Sequence, residues 1–282
     1  MSNSSNVLVT PDSTIVIGDS LNIKFNGKIS AGLANFYGKN FDFSYDKFTV
    51  DIPDADSMAL LAYNNVDGKI KIDSVRSVFE HIKGVLEIDS SFNKSGKDVF
   101  EHMPKLITND TSYVYYDKIT KGKYDRDKFH MTVFPFELDS MKHLSLNAVQ
   151  AKGLFESGIF PDLDVTLTVQ PDMSLGFVMP TQEEGMQLFS GKGTYHNTVI
   201  LNAKGLGGDG EIRYLTTVAR AEKFFFYPDS VSGIVNYLDV KPVLKSEVGT
   251  IPNMKTDIPD IHADSALVFW KPADDLFSAK ES

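Results

Sequence analysis

The sequence predicts an all-β or mainly β protein, built as elongated stacked sheets or solenoid-like β repeats with a few short helices. Three observations carry that prediction. Apolar and polar residues alternate at a period of two in several stretches, which puts one face of a strand inward and the other in water. Aspartate outnumbers glutamate 27 to 11, a bias towards turns, because aspartate hydrogen-bonds its own local backbone. Twenty glycines and 12 prolines also interrupt the chain before a long helical pattern develops.

The elements follow in chain order. Phe41, Phe43 and Tyr45 alternate with Asp42 and Ser44, and Phe48, Val50 and Ile52 continue the pattern. Thr166-Leu167-Thr168-Val169 and Glu211-Ile212-Arg213-Tyr214 repeat it further along. Lys97 to Ile107, Val218 to Phe224 and Ala273 to Ser282 read as short helices of two or three turns. Asp-Ser occurs eight times, starting at Asp12, Asp19, Asp56, Asp73, Asp89, Asp139, Asp229 and Asp264. Chance placement gives about two or three such pairs, so they are read as markers of strand ends. The competing reading, recurrent calcium turns, lacks the full spacing of a calcium loop, and its nearest cluster is Asp51, Asp54 and Asp56.

Glycine spacing suggests a faint internal repeat. Gly27, Gly68 and Gly84 are followed by Gly153, Gly193 and Gly210 at offsets of 126, 125 and 126 residues, and Gly32 and Gly158 add another 126. The expected organisation is therefore two β-rich pseudo-repeats, 1–145 and 146–282, either separate or continuous.

Composition excludes several functions. The 282 residues are 42% apolar and 23% charged with mean hydropathy -0.16, which are values of a folded chain. The longest apolar run, Met58 to Tyr63, is far below the roughly 18 residues of a membrane-spanning helix. The first residues, MSNSSNVLVTPDST, show no signal peptide, which fits a mature segment or a piece of something longer. A formal charge of -10 with only four arginines argues against nucleic acid as a partner. Without cysteine there is no disulfide, thiolate zinc site or thiol nucleophile.

Chemistry-bearing motifs were weighed in turn, and none supplies catalytic, cofactor-binding or metal residues. Thr14-Ile15-Val16-Ile17-Gly18-Asp19-Ser20-Leu21 resembles the nucleophile block of GDSL esterases, with Ser20 as the nucleophile. That chemistry also needs a base and oxyanion donors. Asn109-Asp110 lacks the preceding glycine, Asp260-Ile261-His262 is one residue short of Asp-x-x-His, and the match from Asp127 to His130 lies mid-chain. Gly205 to Gly210 satisfies a dinucleotide fingerprint by letter, but a strand follows it, so a glycine-rich turn between strands is expected. Ser190-Gly191-Lys192-Gly193 lacks phosphate-loop spacing. Histidines 81, 102, 130, 143, 196 and 262 show no metal-ligand spacing and read as surface or half-buried residues.

The best functional hint is aromatic. Tyr113-Val114-Tyr115-Tyr116 and Phe224-Phe225-Phe226-Tyr227 belong chiefly in a β core. Consecutive aromatics nevertheless place some rings on the opposite face, which calls for a second layer, a partner, or a sugar or lipid ligand.

Several blocks resemble very large envelope proteins of Bacteroidetes. They are Lys83-Gly84-Val85-Leu86-Glu87-Ile88-Asp89, Asn93-Lys94-Ser95-Gly96, Tyr113 to Asp117, Tyr124 to Phe129, Ser157-Gly158-Ile159-Phe160-Pro161-Asp162, Tyr214-Leu215-Thr216 and Phe226 to Ser230. The resemblance covers roughly residues 80–235 and implies an extracytoplasmic, repetitive β architecture, periplasmic or associated with the outer membrane. It implies a non-enzymatic structural or binding segment whose partners are other segments of a parent protein or other envelope proteins. It brings no cofactor and no catalytic residue. The strand-and-glycine pattern is more distantly similar to AsmA and TamB proteins, which implies a second reading, an apolar β-trough conducting lipid. An esterase using Ser20 is the third.

Overall fold

A computed structural model describes residues 7–241 and 261–281. The sequence readings that fall on residues 1–6, Asp260 and Ser282 lie outside those residues. The protein is mostly β, with 63% of residues in strands and 6% in helix. All of that helix is in three-residue 3-10 turns, and no described helix is long and apolar enough to cross a membrane. The chain divides into two compact units, residues 1–118, 125–156 and 164–177 in one, and 119–124, 157–163 and 178–282 in the other.

The first unit opens with a meander of five antiparallel strands, β1 (Val7–Ile17), β2 (Ile23–Ala31), β3 (Ala34–Ser44), β4 (Thr49–Val66) and β5 (Lys69–Glu87), each paired with the next. The far side of β5 is shared by β6 (Lys105–Thr108) and β7 (Ser112–Tyr115). From β7 the ladder continues through β8 (His130–Val133) to β10 (Gln150–Glu156), while β9 (Glu137–Leu138) pairs with β6. A hairpin of β11 (Leu163–Val169) and β12 (Leu175–Pro180) completes the strands before residue 181.

The period-two alternation is seen in β3 and β4 on either side of their turn. Phe41, Phe43, Phe48, Val50 and Ile52 are buried, and Asp42, Ser44, Thr49 and Asp51 face out or are half-exposed. Tyr45 instead falls in the turn after β3 and is exposed, because the chain reverses there. Residues 136–145 lie against this part of the unit. The Phe136 ring sits 5.4 Å from Phe79, and the carbonyls of Met141 and Leu144 accept hydrogen bonds from the backbone of Leu33 and Tyr63. A second cluster gathers Tyr116, Phe129, Phe155 and Phe177, all buried.

In the second unit β13 (Met186–Leu188), β14 (Gly193–Asn202), β15 (Gly205–Tyr214) and β16 (Thr217–Tyr227) form a meander. The far edge of β16 is shared by β17 (Ser230–Val235) and β18 (Tyr237–Val240). β18 leads to β19 (Ile261–Ala263), and β17 leads through β20 (Ala266–Lys271) to β21 (Leu276–Glu281). Tyr195, Leu206, Ile212, Phe224, Phe226, Val268 and Trp270 are buried on one face. Phe160, from the 157–163 stretch, stacks edge-on at 5.1 Å from Phe226, and Phe189 does so at 5.5 Å from Trp270.

The three predicted helices are not helical. Val218 to Phe224 lies within β16, where Ala219, Ala221 and Phe224 face inward and Arg220 and Glu222 outward. Its helix-forming residues are overruled by partner strands on both edges. Ala273 onward is one 3-10 turn, a left-handed Asp275, and then β21 paired with β20. Lys97 to Ile107 is turns running into β6, with Pro104 breaking the run.

Asp-Ser marks more than strand ends. The pairs at Asp19, Asp89, Asp139, Asp229 and Asp264 follow or separate strands. Asp12-Ser13 and Asp56 instead occupy β-bulges in β1 and β4, and Ser74 flanks a register shift in β5. An unpaired bulge residue leaves backbone groups that a short polar side chain can serve.

Two of the spaced glycines share one geometry. Gly84 and Gly210 each have φ near +156° and each lie beside a register shift with a neighbouring strand. A Cβ there would come within 2.2 Å of the Ile107 carbonyl oxygen or 2.0 Å of that of His196, so only glycine fits. Gly68 and Gly193 occupy unlike settings, a hairpin turn and the first position of β14.

Candidate functional site: outward-facing surfaces

The motif residues are dispersed. Ser20 lies in the exposed 3-10 turn between β1 and β2, and no hydrogen bond joins it to a base among the described residues. Asp110 is tied to Lys83 at 2.8 Å, His130 Nε2 lies 3.0 Å from Glu156, and His262 Nδ1 lies 2.8 Å from Asp239. Asp51, Asp54 and Asp56 are exposed, with Asp54 3.4 Å from His81. No group of three or more His, Asp or Glu among the described residues is arranged to hold a metal. All six histidines are exposed or half-buried. Gly205 to Gly210 lies inside β15 and is not the turn itself, which is Ala203-Lys204. Its glycines answer a packing need, since a Cβ on Gly208 would sit 1.8 Å from the Thr198 carbonyl oxygen.

Both aromatic runs split by parity as strands require. In the first unit Val114 and Tyr116 are buried, while Tyr113 and Tyr115 lie half-exposed on the other face, ring centres 5.8 Å apart. His130 lies 6.0 and 5.7 Å from them, and His81 lies 6.2 Å from Tyr113. The Arg126 guanidinium covers Tyr115 at 3.5 Å and is ion-paired with Glu80. Burial raises the Tyr115 hydroxyl above its usual pKa despite the nearby arginine.

In the second unit Phe224 and Phe226 point inward, and Phe225 and Tyr227 are half-exposed. Lys223 covers Phe225 at 4.6 Å, Lys123 covers Tyr227 at 4.2 Å and Lys271 covers Phe269 at 5.9 Å. The register places Ser232 beside both Phe225 and Phe269, and Ile234 beside Leu267, so these side chains form one exposed apolar field.

The same outward face carries a polar groove of about 640 Å³ near Arg220. Cross-strand pairing sets His196, Glu211 and Arg220 side by side on β14, β15 and β16, with Arg213 two residues beyond Glu211. The Glu211 carboxylate accepts from the Nε–H groups of Arg213 and Arg220, each at 2.5 Å, and its side chain is only 13% exposed. Burial works against its charge, but the two arginine hydrogen bonds outweigh it and hold its pKa below the ordinary carboxylate value. Arg220 also lies 4.8 Å over the Tyr237 ring, and Asn197 Nδ2 donates to Asp209 at 2.8 Å. From the sequence, Glu211 to Tyr214 reads only as a strand. The remaining signal was that Arg213 and Arg220 are half of the chain's four arginines.

Comparison of the chain with family models, curated proteins and solved structures found no match.

Proposed function

We propose that this chain is a non-enzymatic structural and binding segment of a large bacterial envelope protein, joined to neighbouring segments through open sheet edges. The observation that carries this reading is β1. It is the first strand of its meander, paired with β2 alone among the described residues, and nearly all of it is exposed on both faces. Its end holds Ile15, Val16 and Ile17, exposed by 44, 61 and 62%. Pro11 and the bulge at Asp12 to Thr14 blunt the middle of the edge, but three β-branched residues follow unprotected. Such an edge offers a row of backbone donors and acceptors to another strand. β21, paired with β20 alone among the described residues, is similarly exposed.

Buried aromatic residues also favour this reading over a lipid-filled trough, because Phe36, Phe79, Phe155, Tyr195, Phe224 and Phe226 have no solvent exposure. Among the described residues no hydrogen bond joins Ser20 to a base that would favour a hydrolase. Sedimentation at rising concentration tests the proposal. The expected result is reversible self-association that Ile15→Lys/Ile17→Lys abolishes while circular dichroism stays unchanged. A monomer at every concentration would overturn it, as would aryl acetate turnover that Ser20→Ala removes.

A second reading, contact with a lipid surface, is favoured by the field of Phe225, Ile234, Leu267 and Phe269 with lysines over two of its rings. Native mass spectrometry should then show a lipid adduct that Ile234→Ser/Phe269→Ser loses. A clean apo mass counts against it.

A further inference from the structure

The groove around Glu211 has a chemistry distinct from the rest of the outward face. Its floor is made of rigidly held polar groups. Glu211 is clamped by two arginines, and Arg220 is fixed again by the Tyr237 ring and by the strand register. Each guanidinium gives one Nε–H to Glu211 and keeps four N–H groups. Those remaining donors are on side chains 57 and 56% exposed. Asp209, Glu222, His196 and Asn236 line the same space and add acceptors and one amide.

The charges select among ligand classes. Asp209, Glu211 and Glu222 oppose Arg213 and Arg220, a sum of -1 over these five side chains. Three carboxylates disfavour a phosphate or polyanion, and two arginines disfavour a metal cation. An apolar ligand would strand buried donors and acceptors without partners. A neutral ligand with many hydroxyls, each both donor and acceptor, satisfies an interleaved array of this kind. The Tyr237 ring lies under Arg220 and holds that guanidinium in place at the groove. The volume of about 640 Å³ lies within the range of small-ligand sites.

We propose that this groove binds a neutral glycan, recognised by the free guanidinium edges of Arg213 and Arg220 and by Asp209 and Asn236. This goes beyond the edge-pairing reading and does not depend on it.

Saturation-transfer NMR on the full chain with maltohexaose, cellohexaose, mannohexaose and xylohexaose tests the proposal, with inorganic phosphate and calcium chloride as competitors. At least one oligosaccharide should bind. Arg213→Gln should weaken binding about tenfold, the effect of losing one charge-assisted hydrogen bond. Asn236→Ala leaves the clamped Glu211 intact and should also weaken it, which separates lost recognition from lost folding. Ile15→Lys/Ile17→Lys should bind like the parent chain, so failure of edge pairing and failure of glycan binding are read apart. The proposal is overturned if no oligosaccharide binds, if both groove variants bind normally, or if phosphate or calcium displaces the sugar.

Discussion

Phe155→Ala is expected to destabilise the first unit by about 3–5 kcal/mol, the cost of emptying a fully buried aromatic site. Phe155 sits on β10 opposite Met131 of β8 and has no solvent exposure. Phe129 and Phe177 each meet its ring edge-on at 5.1 Å, and Tyr116 does so at 6.2 Å. These neighbours come from strands and loops far apart in sequence, so deletion removes a shared contact that no single segment can refill. Edge-to-face pairs add about 0.5–1.5 kcal/mol each beyond burial, which places the loss towards the upper end. Urea unfolding followed by far-UV circular dichroism measures it. The first unit's midpoint should fall with little change in slope. A loss below about 1 kcal/mol would mean that the cluster collapses into the cavity or is not assembled as described.

Much of the architecture was legible because strand physics is local and periodic. Phe41, Phe43, Val50 and Ile52 alternate with polar neighbours, and their burial follows from the two-residue period. Parity also explained why Tyr113, Tyr115 and Phe225 face away from their buried neighbours. The failures arise where tertiary context decides. Val218 to Phe224 reads Val-Ala-Arg-Ala-Glu-Lys-Phe, good helix material, yet flanking strands on both edges hold it extended. Asp-Ser was legible as an interruption of the ladder, but Asp56 at a bulge and Asp264 in the bend between β19 and β20 look alike until register is known. The groove was hidden for the same reason. Glu211 and Arg213 lie two residues apart on one visible strand, whereas Arg220 and His196 join them only through pairing across β14, β15 and β16.

Stability should fall steeply above about pH 10 in both units, and in the first the fall should depend on Tyr116. Tyr116, in the first unit, and Tyr124 and Tyr195, in the second, are almost wholly buried. Burial is the main reason their hydroxyls are pushed well above the usual tyrosine value of about 10. Tyr124 donates to the Phe226 carbonyl at 2.9 Å and accepts from the Leu206 N–H at 2.9 Å. Tyr195 Oη lies 2.8 Å from the carbonyl oxygens of both Thr198 and Asp209. The sign follows from the raised values. Below about pH 10 folded and unfolded chains both hold these protons, and their contribution is fully present. Above it the unfolded chain releases protons that the folded chain keeps, so each tyrosine removes about 1.4 kcal/mol per pH unit. Tyr116 contributes that slope in the first unit, where the raised Tyr115, Lys83 and Lys105 add to it, and Tyr124 and Tyr195 together contribute about 2.8 kcal/mol per pH unit in the second, where Lys192 adds to it. Urea titrations from about pH 9 to about pH 12, with tyrosinate absorbance as the second probe, measure both slopes. Tyr116→Phe is the internal control. The Tyr116 hydroxyl is buried without a hydrogen-bond partner among the described residues, so its removal should leave neutral-pH stability unchanged or slightly higher. The variant should reduce the first unit's alkaline slope by about 1.4 kcal/mol per pH unit and leave the second unit's intact. Equal slopes before and after the substitution would show that Tyr116 titrates freely and is not enclosed in the core.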